Sequence, residues 1–215
     1  MTWGSFAEIM KGGLVFDTSA ILYTNALYAL MMLFPIHLKE TKAWQKVAKW
    51  VFVTVNAIMM AANLIDCVYF QYTGRRTTVT VFSEFSNESN IGSVMGIEVL
   101  RHWYLVVLFV LLVWGLWRLY RSADGRNVRP YVPYYLCQTL CLAVFVPLCV
   151  AGMRGGFTTA VRPITISNAN QYVDRPIEAG IVLNTPFSII RTYGKKIFVT
   201  PDYIPVAELD TIYSP

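Results

Sequence analysis

From Trp103 through Trp117 the chain runs fifteen residues without a charge, in the stretch WYLVVLFVLLVWGLWRLY. Arg101 and His102 close one end of it, and Arg118 and Arg121 close the other. A helix in a soluble core needs only one apolar face, whereas a helix in hydrocarbon needs them all. At about 1.5 Å per residue, some 18–20 residues cross a bilayer core of roughly 30 Å. Trp and Tyr at both ends match the aromatic belts of the two interfaces. This run predicts a membrane span, and the rest of the chain is constrained by it.

Composition agrees with that reading. Of the 215 residues, 55% are hydrophobic and only 14% charged, with mean hydropathy +0.46, beyond ordinary soluble usage. A net charge of +5 would point to nucleic acid in a soluble domain. In a membrane chain it reports basic cytoplasmic loops and contact with anionic lipid, so no nucleic acid is expected. Cys67, Cys137, Cys141 and Cys149 form no CxxC pair and lie in apolar stretches, where a thiol is usually a small packing residue.

Hydropathy places spans at about residues 14–36, 47–70, 101–120 and 131–153, a transmembrane domain over 1–153. Residues 1–13 read as a short polar start without the features of a signal peptide. The loop after the first span carries Lys39, Lys42, Lys46 and Lys49 against Glu40. The loop after the third carries Arg118, Arg121, Arg126 and Arg129 against Asp124. Such density of Lys and Arg assigns both short loops to the cytoplasm. Both termini and the segment 154–215 then face outward. The expected fold is all-α and integral to the membrane, a four-transmembrane-helix bundle with a short, partly helical extracytoplasmic tail.

In that tail, Asp174 before Pro176 and Glu178 predicts a helix near 175–183. Thr185-Pro186 predicts a cap and first turn for a second, near 186–193, stopped by Gly194. A further helix is expected over 206–213. About sixty residues is marginal for an independent core, so the tail reads as a linker on the outer membrane surface.

Carboxylates in hydrocarbon cost several kcal/mol unless paired or hydrated, which singles out Asp17 and Asp66, each about one turn inside the outer surface. Asn56, Asn63 and Asp66 share one face of the second span at 100° per residue, and Asp17, Thr24 and Tyr28 share one of the first. Asn56, Asn63, Thr24 and Tyr28 read as a structural stripe joining helices. Asp66, Arg75, Arg76, Arg101, Arg154 and Asp17 form the candidate set for a lipid head group, since planar guanidiniums bind phosphate in bidentate fashion. The bland alternative is that the carboxylates only join helices and the arginines only mark the interface.

There is no GxxxxGK[ST], no HExxH and no GxSxG, and the sequence offers no catalytic or metal residue. Several segments nevertheless go together: GLVFDTSA at 13–20, NLIDCVYF at 63–70 with Arg75-Arg76 after it, RPIT at 162–165, LNTPF at 183–187 and IYSP at 212–215. Together they resemble the amino-terminal membrane half of the lipoteichoic acid synthase family, sulfatase-type phosphoglycerol transferases of the alkaline phosphatase superfamily. The resemblance implies a parent enzyme with five spans and a large extracytoplasmic α/β domain. There, a metal-activated threonine moves a phosphoglycerol unit from a phospholipid. The chain departs from that pattern in having four spans and no catalytic domain. A divalent metal such as manganese or magnesium is therefore expected only in the missing domain, and no cofactor here. The expected role is to anchor a catalytic domain, which could be separately encoded, in a bacterial cytoplasmic membrane and to present anionic phospholipid to it. The alternatives are a multi-pass scaffold or lipid-binding protein without enzymatic role, and a dimerising transporter half-unit. The missing Gly-Pro breaks within spans two and three weigh against the last.

Overall fold

The computed structural model describes residues 3–86, 90–122, 132–156 and 162–194, and among them every regular element is helical. In chain order these are α1 (Trp3–Thr24), α2 (Ala26–Leu33), a 3-10 turn (His37–Glu40), α3 (Lys42–Thr73), α4 (Thr80–Ser86), α5 (Ile91–Arg101), α6 (Trp103–Leu119) and α7 (Val132–Arg154). Two more 3-10 turns (Ile166–Tyr172 and Pro176–Glu178) lead into α8 (Ala179–Val182) and α9 (Thr185–Thr192).

Helices α3 and α7 are each long and apolar enough to cross a membrane. The pairs α1–α2 and α5–α6 pass the same test only jointly, and they are bent by 60° and 80°. Helix α6 has no buried residue and α7 only Ala151. Apolar surface on this scale is untenable in water and ordinary in lipid. Cys67, Cys137 and Cys141 share in that exposure, so they are outward-facing thiols and not the packing residues their setting suggests.

The first span is not the continuous helix its hydropathy implies. It breaks at Asn25, whose side-chain amide donates to Ile21 O (3.1 Å) and to Asn56 Oδ1 (3.2 Å). Asn56 Nδ2 returns a bond to Asn25 Oδ1 (2.7 Å). An Asn that bonds the turn before it and a neighbouring helix weakens the local ladder and fixes a bend. Helix α2 then ends at Leu33, before the Phe34-Pro35 pair, where proline disfavours helical backbone in the residue ahead of it.

Helix α3 starts on Thr41, whose hydroxyl accepts from Trp44 N (3.3 Å). Its 32 residues extend some 48 Å, so it overshoots a hydrocarbon core of roughly 30 Å. It stops at Gly74, which adopts φ 64, the left-handed conformation that glycine takes without a Cβ penalty.

The largest difference from expectation concerns the two ends of the chain. Residues 3–13 are the first half of α1, and the tail is no surface linker. Ile9, Phe16 and Ala20 of α1 form one buried core with Ile164, Ala169, Ala179, Val182, Leu183 and Phe187 of the tail. Phe16 meets the Phe187 ring edge-on at 4.9 Å and the Tyr172 ring at 6.4 Å. About sixty residues are marginal for a core of their own, but they can complete one whose other wall is a long helix. Both tail helices fall close to the expected positions, with one change of cap. Asn184, not Thr185, accepts from Phe187 N (2.8 Å), placing Thr185 and Pro186 in the first turn of α9. The expected helix over 206–213 lies outside the described residues.

Candidate functional site

Asp66 is fully buried on α3, and the turn after that helix folds back to meet it. Gly74 reverses the chain, so Arg76 and Thr77 come level with a residue one helical turn and more below the end of α3. Arg76 Nη1 donates to Asp66 Oδ2 (2.7 Å) and Thr77 N to Oδ1 (2.7 Å), while the Thr77 hydroxyl donates to the same Oδ1. Arg76 Nε donates to Gly180 O in α8 (2.6 Å), and the guanidinium lies 5.4 Å from the Phe70 ring centroid. A Cβ at Gly180 would come within 2.6 Å of that ring, so a larger residue there would have to push the ring aside.

Further bonds tie the tail to the spans. Asn63 Oδ1 accepts from Thr185 N (3.2 Å), satisfying one of the unpaired donors at the start of α9. Asn184 Nδ2 donates to Asp17 Oδ1 (2.7 Å). At the end of α7, Met153 O accepts from Ser19 Oγ (2.8 Å) and from Arg191 Nη2 (3.4 Å). The Arg191 guanidinium also lies over the Tyr23 and Phe187 rings at 5.2 and 5.5 Å. Carbonyls at a helix C-terminus carry partial negative charge, so a cation there is well placed.

The candidate residues are thus only partly gathered. Asp66 and Arg76 are in direct contact, as their nearness in sequence suggests. Asp17 is exposed and touches the tail, not Asp66. Arg75 is exposed beside the turn. Arg154 ends α7, its carbonyl accepting from Ile164 N (3.2 Å). Arg101 stands apart, on α5, 3.5 Å from Glu98. On α3 the stripe of Asn56, Asn63 and Asp66 does face its partners. The expected stripe on the first span is divided. Thr24 bonds back to Ala20 O (2.9 Å), and Tyr28, beyond the bend, packs with Phe52 and Tyr120 at 5.0 and 6.1 Å.

Several members of this junction carry little signal in the sequence. Thr77, Gly180 and Arg191 are single residues whose partners are remote. Asn184 and Thr185 stand in a recognisable cap, which announces a helix but not what it docks against. Chemically the arrangement is a clamp. Asp66 is paired with a guanidinium and also accepts from a hydroxyl and a backbone amide, so three donors converge on one buried carboxylate. Among the described residues no three His, Cys, Asp or Glu side chains gather as a metal site. Compared with protein-family models, curated proteins and solved structures, the chain gives no match.

Proposed function

We propose that this chain is the membrane-anchoring and lipid-presenting portion of a sulfatase-type phosphoglycerol, or related phosphoalcohol, transferase of the bacterial cell envelope. In this reading the bent pairs each count as one span, giving four, and the two basic loops lie in the cytoplasm. The tail is then extracytoplasmic, and catalysis with its divalent metal belongs to a domain outside this chain. One observation carries the reading. The segments at 13–20, 63–70, 75–76, 162–165 and 183–187, far apart in sequence, all contribute to the single junction that locks the tail onto α1 and α3. A linker that only tethers needs no such lock, whereas one that holds a following domain at fixed height above a lipid surface does. Arg75, Arg76 and Arg154 lie at this junction, where they would meet phosphate head groups.

Two measurements test it. Cysteine labelling of intact cells should modify a Ser167→Cys variant and spare Ser122→Cys, and the reverse pattern would overturn the orientation. Native mass spectrometry in mild detergent should show fewer anionic-lipid adducts on Arg76→Ala and at least as many on Asp66→Asn. Unchanged adducts on Arg76→Ala would end the head-group role and leave a clamp alone.

A further inference from the structure

A second feature lies on the far side of α3. The α3 residues Ala61, Leu64, Ile65, Val68, Tyr69 and Tyr72 centre roughly 130° around the helix from Asp66, at 100° per residue. With Phe85 of α4, α5 and the first turns of α6 they line an open crevice of about 580 Å³. Its depth is set by Ala61 on α3 and Phe109 on α6, and these residues are apolar. Every polar side chain lining it stands at the other end, where α5 crosses the mouth at 80° to α6. These are Tyr69, Tyr72, Glu98, Arg101 and His102. Glu98 lies 3.3 Å from His102 Nδ1 and 3.5 Å from Arg101 Nη1, and the Arg101 side chain is two-thirds exposed.

From Tyr72 to Ala61 the crevice follows α3 for roughly 16 Å. It therefore has the shape and polarity of one amphiphile, charged at the surface and apolar inward. The volume falls within the roughly 300–1,000 Å³ of small-ligand sites. We propose that this crevice binds one acyl chain of a membrane phospholipid. Its phosphodiester meets Arg101, and the chain runs down between α3 and α6 toward Phe109. The inference needs α6 and α3 in a membrane and is independent of any transferase domain.

The test uses phosphatidylglycerol carrying a diazirine midway along one acyl chain, photolysed with the full chain in nanodiscs and mapped by peptide mass spectrometry. Labelling should concentrate on residues 61–68 and 105–109. Val106 lines the crevice and is 44% exposed, so Val106→Trp fills it without entering a packed core. That variant should lose labelling at 61–68 roughly tenfold, the equivalent of about two methylene groups no longer buried. Ala61→Leu, a smaller plug, should reduce it in the same direction. Arg101→Ala should lower labelling with phosphatidylglycerol but not with a diazirine-bearing diacylglycerol, which has no phosphate. Even labelling of α3, α6 and α7, or undiminished labelling in both plugged variants, would overturn the site and leave ordinary boundary lipid. Protein–protein cross-links from the crevice to a second copy would overturn it in favour of a dimer interface. The orientation tested by Ser167→Cys and Ser122→Cys can fail without affecting these outcomes.

Discussion

Buried polar junctions stand at both ends of the bundle, and they are built on opposite terms. At the tail end, a buried carboxylate is met by a full opposite charge and by hydroxyl and amide donors. At the basic end, the 3-10 turn buries Lys39, leaving it 8% exposed. Its ammonium donates to Gln138 Oε1 on α7 (2.6 Å) and to Met32 O on α2 (3.2 Å), both neutral. Gln45 Nε2 completes the junction on Lys39 O (2.6 Å). Burial pulls the Lys39 pKa below its ordinary 10.5, and Glu40 only partly offsets this. A charge answered by a charge cannot lose one partner without stranding the other. A charge answered by dipoles can be given up at small cost. The tail end is thus the committed junction and the basic end the adaptable one.

The sharpest way to break that comparison is Asp66→Ala. It strands Arg76 and leaves Thr77 N unpaired, so about 3–5 kcal/mol of stability should be lost. Thermal unfolding in detergent should register this together with new protease sensitivity in residues 162–194. A near-neutral result would mean that the tail is held by its apolar core alone. Next comes Gly74→Val, which forces a branched side chain to φ 64 and should cost about 1–2 kcal/mol. The loss should shrink when Asp66 is already alanine, because the turn then brings no donors to a carboxylate and keeps only the Arg76 contacts with Gly180 and Phe70.

Within the span region effects should be smaller. Asn56→Ala removes both bonds to Asn25, and bonds between helices in membranes average about 0.6 kcal/mol, so a loss near that size is expected. A loss above about 2 kcal/mol would show that the Asn25 bend, not the tail, organises the bundle.

Lys39→Met should be close to neutral in stability at pH 7, since it removes a buried charge along with its two bonds. The pH dependence sharpens the contrast. With its folded pKa lowered, Lys39 binds fewer protons folded than unfolded, so its penalty is full below the folded value. Stability relative to Lys39→Met should therefore rise as pH climbs from that lowered value toward 10.5. A difference that is flat with pH would show that Gln138 and Met32 compensate the ammonium fully.

How much of this was legible from residue order follows from range. The uncharged run from Trp103 to Trp117 sits inside one helix, Trp103–Leu119, because apolarity on every face is a local property. Asp66 and Arg76 were findable as partners for the same reason, being ten positions apart across a glycine that turns the chain back. The stop before Pro35 and the caps of the tail helices are likewise local backbone chemistry.

Tertiary structure alone decided the rest. The bend at Asn25 depends on Asn56, and the 80° turn at His102 leaves α5 lying across a crevice that neither α3 nor α6 announces. Above all, Phe187 covers Phe16 from 171 positions away, which turns a polar-looking start and a proline-rich tail into two walls of one core. Local patterns carry which residues prefer helix and which prefer lipid. Which surfaces meet depends on shape and on satisfying every buried polar group at once, and that is a property of the assembled chain.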